Sequence, residues 1–189
     1  MDFFFFSFPR FLEAAGPALF FLLATFGALS LEGRRINASL RAIHLDPSYW
    51  KNPLMMRRML VHAFILLLAL LVISFVLSFL FYLVGYGDLH RIESLLKTQP
   101  FFVLLIAVTL SPVAEEVFFR GYLQGKVGVL FSAAVFGMLH AVYGSVVEVF
   151  GAFGIALLLG TYVLNERNLY PCILSHALFN FISIYAVFA

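Results

Sequence analysis

Charge is what this sequence has least of. Only 12% of its 189 residues are Asp, Glu, Lys or Arg, 12 basic against 10 acidic, for a net charge of +2. No basic tract with interleaved aromatics occurs, so no nucleic acid is expected as a partner. A single cysteine, Cys172, rules out an intrachain disulfide and leaves the redox compartment unread. There is no HExxH pair and no segment that repeats at a fixed period. What fills the chain instead is 63% hydrophobic residues, 17% of the total aromatic, at a mean hydropathy of +1.01. A chain of that composition does not stay dispersed in water. The sequence predicts an all-α, polytopic membrane protein, a single membrane domain over 1–189 built as a bundle of about six transmembrane helices, with the lipid bilayer as its solvent.

The apolar runs set the expected spans. Phe11 to Leu31 has the ~20 residues a spanning helix needs. It reads as a span and not as a cleaved leader, because Asp2 stands where a basic n-region belongs and the first basic residue is Arg10. Glu32 to Met59 is polar and basic, carrying Arg34, Arg35, Arg41, Lys51, Arg57 and Arg58, with Pro47 and Pro53 expected to break any long helix. Leu60 to Val84 is the second span. The third runs from Pro100 to about Gln124, the fourth from Val129 to Tyr143, the fifth from Val146 to Leu164 and the sixth from Leu169 to Phe188. Ala133, Gly137 and Ala141 recur at i+4, as do Ala152, Ala156 and Gly160, the small-residue spacing of closely packed membrane helices. The Lys and Arg excess in 32–59 places that segment on the cytoplasmic side, with Arg120, Lys126 and Arg167 near the same face and both termini opposite.

Few polar residues fall inside the spans: Glu115, Glu116 and Arg120 on the third, His140 on the fourth, Glu148 opening the fifth, His176 and Asn180 on the sixth. A charge at the centre of a membrane helix costs roughly 2.5 to 3.5 kcal/mol on insertion scales, so such residues mark function by default. Each has a plainer reading beside it. Glu116 and Arg120 at i and i+4 form a structural ion pair at least as readily as a functional one. Glu115, about 100° round the helix, needs another partner. A lone histidine in a helix is ordinarily a satisfied core residue, but two occur here on different spans, and His176 stacks one turn from Asn180. Together these side chains supply a general base, a second proton carrier and a neutral donor. By rise along the helix, Glu115 lies ~13 Å from the Gln124 end, His140 ~16 Å from Val129 and His176 ~10 Å from Leu169. That puts the site inside the membrane in its cytoplasmic half, in a cavity between spans three, four and six. His44, His62 and His90 sit in loops or at span ends and read as structural.

The spacing is specific. Glu115-Glu116-Val-Phe-Phe-Arg120 is EExxxR, Phe136-Gly-Met-Leu-His140 is FxxxH and His176-Ala-Leu-Phe-Asn180 is HxxxN, in that order on successive spans. This resembles the CPBP family, also called the ABI or CAAX-protease-and-bacteriocin-processing family, whose eukaryotic branch is the type-II CAAX prenyl endopeptidase. The resemblance covers about 100–189; spans 11–31 and 60–84 share only their hydrophobicity with it.

What the resemblance implies is an intramembrane endopeptidase of the glutamate type. It would hydrolyse a peptide bond in a membrane-embedded or lipid-modified peptide or protein terminus, whether a CAAX terminus, a leader or a C-terminal sorting signal. Glu115 would activate water, His140 would share the proton work, and His176 and Asn180 would donate to the developing oxyanion, with Glu116 and Arg120 in support. No cofactor is expected. The alternative is zinc on Glu115, His140 and His176, leaving a fourth position open for water. The competing class is a non-catalytic membrane protein, a proton-coupled transporter or an immunity or partner protein, using the same buried cluster.

Overall fold

The computed structural model describes residues 8–32 and 36–189; Arg34 and Arg35 of the polar segment, and the Phe-rich start before Phe8, lie outside the described residues. Among the described residues there is no strand. The chain runs through α1 (Phe8–Leu31), α2 (Ile36–Ala42), a 3₁₀ turn (Pro47–Lys51), α3 (Pro53–Leu83) and the short α4 (His90–Lys97). A composite span follows, made of α5 (Phe101–Val108), α6 (Leu110–Glu115), a π-helical segment (Glu116–Leu123) and α7 (Gln124–Val127). Then come α8 (Val129–Leu139), a 3₁₀ turn (His140–Tyr143), α9 (Val146–Glu166) and α10 (Tyr170–Phe188).

Four of these stretches are long and apolar enough to cross a membrane: Pro53–Leu83, Phe101–Val127, Val146–Glu166 and Tyr170–Phe188. Ala15–Leu31 and Val129–Tyr143 are shorter apolar helices. On α3, Ala63, Leu66 and Leu70 are buried, whereas Phe64, Leu68, Val72, Phe75 and Phe79 face outward. An outward row of that kind is unfavourable against water and is the solvated surface in hydrocarbon. The protein is an all-α polytopic membrane protein.

Local chemistry explains where the elements begin. Helix α3 starts at Pro53, before the expected Leu60, because Asn52 Oδ1 accepts from Leu54 N at 2.9 Å and from Met55 N at 3.4 Å. Pro53 occupies the first helical turn, where its missing N–H costs nothing. Pro47 likewise opens the 3₁₀ turn behind Asp46, whose carboxylate accepts from Ser48 N at 2.9 Å. Both prolines, expected as breakers, are starters. In the composite span the break at Thr109 falls three residues before Pro112. A proline there withholds the N–H that Val108 would receive and crowds the Val108 carbonyl.

The small residues pack as the spacing predicts, with one exception. A Cβ on Gly137 would stand 2.9 Å from Phe153 Cβ and 3.0 Å from Val149 O, so α8 and α9 touch at backbone distance there. Ala133, Ala152 and Ala156 pack with Phe119 and Phe136 in one buried cluster. Ala141 is exposed, because the chain has already tightened into the 3₁₀ turn.

Cross-links fix the two ends of the bundle. At one end lie Arg58 with Glu166 at 2.7 Å, Lys126 with Glu32 at 2.9 Å, and Leu169 N donating to His44 O at 3.0 Å. At the other end Arg91 donates to Gly144 O at 2.7 Å. Gly144 is left-handed at φ 73°, a turn that glycine makes without strain. Asp88 is buried at that same end. Its carboxylate accepts from Ser145 Oγ at 2.6 Å, Val146 N at 2.6 Å, Tyr86 Oη at 3.0 Å and Val147 N at 3.3 Å, and so closes the N-terminus of α9.

Burial pushes the Asp88 carboxyl up, but the bonds from Ser145, Val146, Tyr86 and Val147 outweigh it and bring it from 3.8 down to about 2. A depressed carboxyl contributes stability that is complete above its unfolded value and is lost as the pH falls through the folded one. Asp88→Ala should therefore lower the unfolding free energy by about 1–3 kcal/mol at neutral pH. Thermal unfolding in detergent should show the gap between variant and wild type closing as the pH is taken down through about 2.

Candidate active site

The EExxxR stretch straddles a change of helix type. Glu115 ends α6, and from Glu116 the backbone widens into the π-helical segment, where Gln124 N bonds to Phe119 O. Single-turn π segments inside membrane or soluble helices collect at functional sites, because the extra residue redirects side chains locally. Gly121 within it lies against α2 and its following turn: a Cβ there would come within 3.0 Å of Ile43 Cβ.

Glu116 is fully buried and Arg120 nearly so, with Arg120 NH1 3.2 Å from Glu116 Oε1. The pair is not isolated. His176 Nδ1 stands 2.9 Å from the same Glu116 Oε1, and His176 Nε2 stands 3.8 Å from Glu115 Oε2. The imidazole thus bridges both carboxylates of the motif. Since an ionised carboxylate only accepts, Glu116 selects the form of His176 that carries a proton on Nδ1. The Arg120 guanidinium lies 4.3 Å from the centre of the Phe136 ring, within cation–π range. The same ring is 4.5 Å from the His140 ring and 6.3 Å from His176. Phe136 is therefore the floor under three of the polar residues.

His140 opens the 3₁₀ turn, with Nδ1 2.9 Å from Phe136 O, which leaves Nε2 free of that bond. Asn180 Nδ2 donates to Ala107 O at 3.0 Å, tying α10 to the end of α5 and keeping its second N–H for another acceptor. Glu115, His140, His176 and Asn180 line one cavity of about 720 Å³, together with Ser111, Tyr143 and Glu148. Its walls come from the composite span, the His140–Tyr143 turn and α10, as the spacing predicts. Residues of α4 and the first turn of α9 complete them.

The cavity extends away from the 32–59 segment. The cavity is lined by Leu95 and Thr98 beside Arg91, by Tyr143 beside Gly144, and by Ser183 and Ile184 far along α10. The 32–59 segment instead meets the start of α10, where Trp50 stacks edge-on against Tyr170 at 5.2 Å.

Sequence reasoning pairs Glu116 with Arg120 alone; the structure adds His176 to that carboxylate. Tyr143 as a cavity residue was missed, and no spacing rule would have found it. Asp88 was passed over as part of a turn. Its signal was Ser145-Val-Val-Glu148, a capping-box pattern whose carboxylate is not the one that closes the helix.

Residues 97–182 match the family model described as Type II CAAX prenyl endopeptidase Rce1-like. Over that segment the chain is similar to the Rce1-like family. The match spans Glu115, Glu116, Arg120, His140, His176 and Asn180 and makes the segment similar to CAAX-type intramembrane proteases as a class. Neither a search of curated proteins nor one of solved structures returned a match.

As zinc ligands, His140 and His176 would each offer Nε2, since Nδ1 is taken by Phe136 O in one and by Glu116 Oε1 in the other. Among the described residues, however, no three His, Cys, Asp or Glu side chains form a group that could hold a metal ion.

Removing one partner of a buried charge group strands the others, at roughly 3–5 kcal/mol. Glu116→Ala, which strands both Arg120 and His176, should cost stability at the top of that range, while Glu115→Gln, at the cavity wall, should cost under about 1 kcal/mol. Thermal unfolding of the two variants in detergent measures the difference.

Proposed function

We propose that this protein is an intramembrane endopeptidase that hydrolyses a peptide bond in a membrane-associated peptide or protein terminus, with Glu115 activating the water. One observation carries the reading: Glu115, His140, His176 and Asn180, drawn from the composite span, the His140–Tyr143 turn and α10, line a single cavity inside the bundle. The family match supports it. Because that family is described by prenyl endopeptidases, a lipid-modified terminus comes first among the candidate substrates.

The chemistry follows from the groups present. Water at Glu115 gives its proton to the carboxylate as its oxygen adds to the peptide carbonyl carbon. Negative charge gathers on the carbonyl oxygen, where the second N–H of Asn180 Nδ2 and a proton on His176 Nε2 donate to it. A donor of this kind contributes roughly 10²- to 10³-fold in rate. The His176 ring has carboxylate oxygens near both nitrogens, Glu116 Oε1 at 2.9 Å from Nδ1 and Glu115 Oε2 at 3.8 Å from Nε2. Collapse breaks the C–N bond, and the amine leaves with the proton held by Glu115 and shared with His140. The products are a new carboxylate end and a new amine end. Glu116 and Arg120 touch no reacting atom in this scheme and act as positioning residues through His176.

Protein in liposomes, incubated with a farnesylated CAAX peptide and with an unprenylated membrane peptide, tests the proposal by mass spectrometry of the products. Wild type should cleave at least one of them, and Glu115→Gln should lose at least about 10²-fold in rate with its folded yield unchanged. A chelator should leave cleavage intact. Equal cleavage by wild type and variant, or none by either, would favour the non-catalytic relay or partner protein. Stoichiometric zinc with chelator-sensitive cleavage would replace the metal-free mechanism.

A further inference from the structure

Glu148 has no part in the chemistry above, and its structural post is taken. It stands third after Ser145 at the start of α9, where a carboxylate normally folds back to close the helix N-terminus. Ser145 Oγ does accept from Glu148 N at 3.1 Å. The remaining donors of that turn, Val146 N and Val147 N, go to Asp88, as does Ser145 Oγ. Among the described residues the Glu148 carboxylate accepts no hydrogen bond, and it lines the cavity instead.

It also marks a junction. A second cavity of about 370 Å³ lies between α3, α4, α9 and α10, lined by Ser74, Leu77, Ser78 and Gly151 among others. Ile92, Leu96, Glu148 and Ser183 line both cavities, so the two chambers meet at these four residues. Among the described residues no Lys or Arg lines either chamber; the basic side chains on the walls are the imidazoles of His140 and His176 in the first and His90 in the second. A carboxylate at such a junction, with no fixed cation beside it, is a costly arrangement until one arrives.

We propose that Glu148 is a specificity residue of the peptidase site proposed above, and that it binds the cationic head of a substrate Lys or Arg next to the scissile bond. Ile92 and Leu96 flank the junction and suit the methylene stem of such a side chain, whose charged end then reaches the carboxylate. The second chamber supplies room behind it, with the hydroxyls of Ser74, Ser78 and Ser183 on its walls. The inference rests on the peptidase reading for its consequence, but the binding of the cation does not depend on hydrolysis.

Two membrane peptides that differ only in Lys against norleucine, scanned over the positions flanking the cleaved bond, test this. At one position wild type should favour the Lys peptide by roughly 10- to 100-fold in kcat/KM, chiefly through KM, the range of a hydrogen bond to a charged partner. Glu148→Gln should bring that ratio to about one, and Glu148→Asp should restore part of it. A wild-type ratio of one at every position, or a ratio that Glu148→Gln leaves unchanged, overturns the proposal. Binding of the same peptides to the Glu115→Gln protein separates this claim from the hydrolytic one. A Lys preference in Kd that disappears in Glu115→Gln/Glu148→Gln upholds it even where nothing is cleaved, and equal affinity for both peptides overturns it.

Discussion

Glu116 carries the constraint on which the rest of the site depends. A fully buried carboxylate in a membrane protein has to be compensated, and here two groups do it at one oxygen: Arg120 at 3.2 Å and His176 at 2.9 Å. Arg120 lies in the same π-helical segment, whereas His176 lies sixty positions further along the chain. The polar contact therefore fixes α10 against the composite span at one register. Sliding α10 by a single turn would carry His176 about 5.4 Å along its axis and leave Glu116 and Arg120 to each other alone. Because the unpaired alternative is costly in hydrocarbon, the polar cluster specifies the packing more sharply than the surrounding Leu and Phe contacts do.

Other devices converge on the same place. Pro112 breaks the composite span just before the motif, and the π-helical segment begins at Glu116, so neighbouring carboxylates part company: one joins the buried cluster and one faces the cavity. Phe136 receives Arg120 on its ring and gives its carbonyl to His140, which ties α8 to the cluster. At the far end Asp88 closes α9 and frees Glu148. A cavity with two carboxylates, two imidazoles and a carboxamide on its wall results from these local choices, each of them a response to a polar group that could not be left in lipid.

Much of this was readable from the residues. Hydropathy runs gave the long helices because length and apolarity are what the bilayer demands, and the i+4 small residues gave the α8–α9 contact because Gly137 admits no Cβ there. The ends were less legible: α3 begins at Pro53 on the strength of an asparagine cap, which a hydropathy window does not weigh. The three motifs named the residues that line the cavity, but not their partners. Spacing along one helix shows Glu116 with Arg120; it does not show that His176 meets the same oxygen, since that depends on how two helices lie together.

Nitrogen-15 NMR of the His176 ring, in protein labelled at histidine and held in detergent, tests the central claim most directly. If Glu116 holds the imidazole, Nδ1 should carry a proton and show a hydrogen-bonded shift that collapses in Glu116→Gln while the His140 signals stay put. An Nδ1 without a proton, or a His176 spectrum indifferent to Glu116→Gln, would contradict the account.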